Sequence, residues 1–163
     1  MKRIHILLVA GTVLLLAGCS STPVALGPVG PDPFGGQYMA ADGRLQVFSR
    51  MVGRTEGNNP TWYQHAGYSI YDLQGKLVQH VENSTGKYEE APQLVALPAG
   101  KYFVKARAQG YLNVKVPVTI SRGQITKVHL DDRWARPANV SKGELVSLPD
   151  GNPVGWRATA GIN

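Results

Sequence analysis

The chain of 163 residues holds a single cysteine, Cys19. One thiol excludes an internal disulfide and every metal site built on paired cysteines, so the fold has to rest on its apolar core. The sequence also lacks His-x-His and His-Glu-x-x-His spacings, a Gly-x-Ser-x-Gly elbow, a phosphate-cradling glycine loop and a paired-carboxylate arrangement. No catalytic residue, cofactor or metal site is therefore expected. Charged side chains make up only 17% of the chain. Setting aside Lys2 and Arg3 leaves 15 basic against 11 acidic residues and a net charge of +4. That excess suits an anionic surface such as lipid headgroups or envelope polymers, and is too diffuse for nucleic acid. No apolar run is long enough to span a bilayer, which takes about 20 helical residues; the run at 6–17 has 12.

What is present begins at the N-terminus. Lys2 and Arg3 precede the apolar run, and Leu16-Ala17-Gly18-Cys19 closes it. A positive start, a short apolar stretch and small residues form an export signal. The last four residues resemble the lipobox of bacterial lipoproteins. That resemblance implies removal of residues 1–18 and a mature chain beginning at Cys19. Its sulfur would carry a diacylglyceryl group and its amine an acyl chain such as palmitate, and two or more chains anchor a protein stably. Ser20 in place of an aspartate after the cysteine implies the periplasmic face of the outer membrane.

Residues 19–43 read as a tether, with Pro23, Pro28, Pro31 and Pro33, five glycines and almost no charge. From residue 44 the apolar period is two. Leu45 and Val47 alternate with Arg44, Gln46 and Phe48, Tyr68 and Ile70 with Ser69 and Tyr71, and Val104 and Ala106 with Phe103, Lys105 and Arg107; Val114 through Ile120 and Thr126, Val128 and Leu130 repeat the pattern. About seven short strands with Gly and Pro turns predict an all-β fold, an antiparallel β-sandwich of prealbumin-like or immunoglobulin-like type over 44–132. Pro117 marks its strand as an edge or a bulge. Residues 133–163 read as a C-terminal extension with a hairpin around Pro149-Asp150-Gly151-Asn152. Trp134 and Trp156 are expected to pack back on the sandwich and close an open end.

The run Leu97-Pro98-Ala99-Gly100-Lys101-Tyr102 with Ala108-Gln109-Gly110-Tyr111 resembles the signature of carboxypeptidase-regulatory-like and PEGA-like modules. Asp72-Leu73-Gln74-Gly75-Lys76-Leu77-Val78 resembles their hairpin. The resemblance covers about 67–131 and implies a binding or accessory role more often than catalysis. Gly100 and Gly110 are expected to take backbone angles closed to other residues.

Candidate contacts follow. Residues 51–66 read as a long loop in which Trp62 and Tyr63, beside Asn58, Asn59 and Gln64, offer rings and amides to a glycan. The opposing reading has Trp62 plugging the sandwich. Lys105, Arg107, Lys115 and Lys127 form a basic stripe if their strands share a sheet; charges that merely discourage edge pairing are the alternative. A site assembled from His65, His80 and Glu89 or Glu90 is the weakest option. The protein is thus expected to be a membrane-anchored envelope protein, binding a protein partner through a strand edge or the C-terminal hairpin. Glycan or peptidoglycan binding is the alternative, and a small hydrolase or metal protein ranks third.

Overall fold

The computed structural model describes residues 23–58, 61–83 and 91–159. Cys19, Asn59, Glu89 and Glu90 lie outside them. The described chain forms twelve strands: β1 (Val24–Ala25), β2 (Gly43–Phe48), β3 (Met51–Arg54), β4 (Trp62–His65), β5 (Tyr68–Tyr71), β6 (Leu77–Val81), β7 (Leu94–Leu97), β8 (Gly100–Ala108), β9 (Tyr111–Ile120), β10 (Ile125–His129), β11 (Leu145–Ser147) and β12 (Pro153–Trp156). A five-stranded sheet in the order β1-β9-β8-β5-β6 packs on a three-stranded sheet, β10-β2-β7. Two hairpins, β3–β4 and β11–β12, complete the fold. The all-β sandwich read from the sequence is the fold of the protein.

Alternation decides what is buried. Leu45, Val47 and Val128 from the small sheet meet Tyr68, Ile70, Val104, Val114, Val116 and Val118 from the large one, each at most 2% exposed. Burying such side chains yields about 1.5–3 kcal/mol each. The pairings are not all antiparallel, because β10 runs parallel to β2 and β1 parallel to β9.

Part of the stretch read as a tether belongs to the sandwich. Val24 and Ala25 pair with Val114 and Lys115, and Val29 is fully buried. The reason lies on the edge of β9. Val29 donates to the Pro117 carbonyl at 2.8 Å and accepts from the Thr119 amide at 2.8 Å. Pro117 turns its missing donor the same way as its carbonyl, toward this crossing segment and away from β8, so the long β8–β9 ladder survives a proline.

The C-terminal hairpin is likewise part of the body. Leu145 pairs with Trp156, while Val146 and Val154 are buried. A Cβ on Gly155 would come within 2.6 Å of Val29 Cγ1 and 2.8 Å of the Lys127 carbonyl. Gly155→Ala should therefore cost about 1–3 kcal/mol of stability by overpacking, read as a lower urea midpoint. An unchanged midpoint would show that β12 does not close on the core.

The turn motifs have plain causes. The Asp72 carboxylate accepts from the Lys76 amide at 2.8 Å, and Gly75 takes a φ of 82°. Gly110 takes a φ of 79° in the β8–β9 turn. Gly100 does not share that conformation; it opens β8 as an ordinary strand residue opposite Ile120.

Candidate functional site

Strand alternation turns one set of β5, β8 and β9 side chains outward. Tyr71, Phe103 and Pro117 stand opposite one another across these strands. One row along, His80, Ser69, Lys105, Lys115 and Ala25 line up across all five strands of the large sheet. Lys105 and Lys115 face each other directly, an arrangement in which like charges repel. Each ammonium settles over an aromatic ring instead, Lys105 Nζ 4.5 Å from the Tyr71 centroid and Lys115 Nζ 3.8 Å from that of Phe103. Such contacts are worth about 0.5–1 kcal/mol at exposed sites. Arg107 projects from the same face of β8 and is exposed. Neither ion pair of the described residues includes one of these three cations, although His80 and Glu82, which form one of them, line a groove together with Arg107.

Three of the four cations expected in a stripe thus share one surface, and Lys127 does not. It stands on the outer face of the small sheet, 3.0 Å from the Asp32 carboxylate. The expectation failed because β10 crosses to the other sheet, which the alternating pattern alone does not reveal.

Around Lys127 the small sheet carries a ladder of rings. His129 stacks between Phe48, at 4.4 Å and 14°, and Trp134, at 4.6 Å and 17°. Trp156 meets Trp134 edge-on at 6.3 Å, and Phe34 meets Trp156 at 5.5 Å. The two tryptophans do pack back on the sandwich, but they cover a sheet face rather than an end. A groove of about 330 Å³ runs beside them, lined in part by Gln46, Lys127 and Pro137. Burial lowers the His129 pKa to about 4, with the nearby Lys127 charge acting in the same direction. Burial also raises the Asp131 carboxyl above its ordinary range. Its Oδ1 is buried without a hydrogen-bond partner among the described residues.

The segment 51–66 is a hairpin rather than a loop. Arg54 pairs with Trp62 and Gly53 with Tyr63. Neighbouring strand residues point to opposite faces, so Trp62 and Tyr63 look away from each other. Tyr63 is exposed and Trp62 and Gln64 are half-buried, while Asn58 is exposed in the turn. The paired rings expected to stack on one sugar are therefore separated. The histidines diverge as well. His65 is buried, with Nδ1 2.6 Å from the Ser49 carbonyl, whereas His80 bonds Ser69 Oγ at 3.0 Å on the large sheet. Among the described residues no cluster of three metal-ligating side chains occurs.

One residue of structural weight escaped the sequence reading. Asn83 is buried in the left-handed conformation, φ 59°. Its amide donates to the carbonyls of Val47, at 2.9 Å, and Ala66, at 3.3 Å, and its Oδ1 accepts from the Gln93 amide at 3.0 Å. It ties together the end of β2, the β4–β5 link and the approach to β7. An asparagine just after a strand, able to take a positive φ, is the only sequence signal for it.

Residues 58–120 match a family model described as a secretion system C-terminal sorting domain. The match takes in β4 through β9, including most of the large sheet, and stops short of β10. It overlaps the stretch that resembles carboxypeptidase-regulatory-like modules but is a different family. The similarity is to an export module, and the protein is an exported one. No curated protein and no solved structure matches the chain.

Proposed function

We propose that this exported chain is held in the cell envelope by lipid on Cys19 and acts there as a non-catalytic accessory that binds a protein partner. The observation that carries the binding role is the outer edge of β6. Among the described residues no strand pairs with that edge, and Leu77 and Val78 are 51% and 45% exposed on it. A strand edge with apolar side chains accepts an added strand from another protein, main chain to main chain. The register shift between Ile70 and Tyr71 leaves Val78 as the extra residue of a bulge, so the stretch open to pairing is Gln79 to Val81 with Leu77 and Val78 flanking it.

The anchor is tested by fractionation. Cys19→Ala should move the protein from the membrane pellet to the soluble envelope fraction, and continued pelleting would refute the anchor. The edge is tested by a photo-crosslinking residue at Val78 in the anchored chain. It should yield one discrete adduct with an envelope protein, lost when Gln79→Pro disrupts the edge.

A second reading rests on the family match: the stretch 58–120 is itself a sorting signal for an export machinery. It predicts that the Cys19→Ala chain leaves the cell, whereas the anchored reading predicts that it stays within the envelope.

A further inference from the structure

The short distance between the lipid attachment residue and the large sheet has a spatial consequence. Five Cα steps separate Cys19 from Val24, a reach of at most about 18 Å. Val24 and Ala25 are paired at the edge of β9, with Ala25 opposite Lys115. Lys105 stands one further strand in, and strands are spaced about 4.8 Å apart. Because β1 runs parallel to β9, the chain enters at the end of the sheet that holds the β8–β9 turn. Arg107 and Leu112 lie at that end, Leu112 64% exposed.

We infer that the outer face of β8 and β9, with Lys105, Arg107 and Lys115, lies flat against the anionic headgroups of the bilayer that holds Cys19. The inference rests on the lipid-anchor reading. Two observations choose the occupant. The chain outside the described residues is too short to carry this face far from a membrane that holds Cys19. The face also keeps two opposed lysines without a carboxylate partner among the described residues, and an anionic surface would neutralise both. Leu112 supplies an apolar contact at the same end, and Phe103 and Tyr71 hold the two ammonium groups over the face.

Because the lipidated Cys19 sulfur is a thioether, an introduced cysteine is the only free thiol of the chain. The test places one at Asn113, exposed on β9, or at Ala96, exposed on β7 of the other sheet. The full lipidated protein is reconstituted in phosphatidylcholine vesicles with or without phosphatidylglycerol and treated with a membrane-impermeant maleimide. On the phosphatidylglycerol vesicles Asn113→Cys should react about tenfold more slowly than Ala96→Cys, the effect of a docking preference spread over two or three cations. High salt, pure phosphatidylcholine, or Lys105→Glu with Lys115→Glu should each abolish the difference. Lys105→Gln with Lys115→Gln provides the same readout if the reversed pair fails to fold by thermal melting.

Equal rates on the anionic vesicles would overturn the inference, as would protection that survives loss of both lysines. Protection that appears only when peptidoglycan is added would overturn it in favour of a glycan surface. The two readings fail separately. Membrane retention of Cys19→Ala refutes the anchor, whereas release of that variant together with equal labelling rates refutes the docked face alone.

Discussion

Acidification from pH 6.5 to 4 should cost the folded protein about 2–3 kcal/mol through His129 alone, and His129→Phe should remove most of that loss. In the unfolded chain the imidazole takes up its proton near pH 6.5. In the folded protein it does so only near pH 4, because the ring is buried between Phe48 and Trp134 with Lys127 close by. Between these values the unfolded state binds more protons, so stability is fully present above pH 6.5 and is lost as the pH falls toward 4. Asp131 works with the opposite sign. Burial raises its pKa, so its carboxyl favours the folded state at low pH and loses that contribution as the pH rises through the folded value. Urea midpoints at pH 7 and pH 4.5 check the prediction, since His129→Phe keeps a ring in the stack and removes only the titration. An equally steep loss in that variant would show that His129 is not the acid-sensitive group.

Asn83→Ala should lower stability by about 3 kcal/mol and the melting temperature by roughly 10 °C. Three segments depend on one side chain. The substitution leaves the Gln93 amide and the Val47 carbonyl without their partner, and each buried unpaired group costs about 1–3 kcal/mol. The Ala66 carbonyl still accepts from Ser49 Oγ at 2.5 Å, which limits the damage there. The positive φ adds to the cost, since alanine takes that conformation less readily than asparagine. Asn83→Gly, which accepts the backbone angle, should recover part of the loss but not the hydrogen bonds. Thermal melting of the two variants separates the terms, and a melting point unchanged in Asn83→Ala would remove the latch from the account.

The sequence made the sandwich legible where one face of a strand is buried and the other wet. Val114, Val116, Val118 and Ile120 announce β9, and Val104, Ala106 and Ala108 announce β8, because they alternate with polar or aromatic neighbours everywhere except at Pro117. β1, β3 and β4 lack that contrast and are not legible in the sequence. β1 is two residues long among prolines, and its partner is 90 residues away in sequence, Val24 opposite Val114. β3 and β4 stand outside both main sheets, so only part of each is buried and the period is weak. The candidate surface was legible as a row of cations, because strand period places Lys105 and Arg107 on one face. The membership of Lys127 was not, because sheet assignment depends on where β10 crosses over. The His129 stack was also hidden, since it joins rings from three separate segments, at residues 48, 129 and 134.

The most direct measurement is the intact mass of the protein extracted from membranes, with fragmentation of its first residues. The account predicts a chain that begins at Cys19 and carries the mass of a diacylglyceryl group on the sulfur and an acyl chain on the amine. A chain that begins elsewhere, or an N-terminal fragment with no added lipid mass, would contradict it.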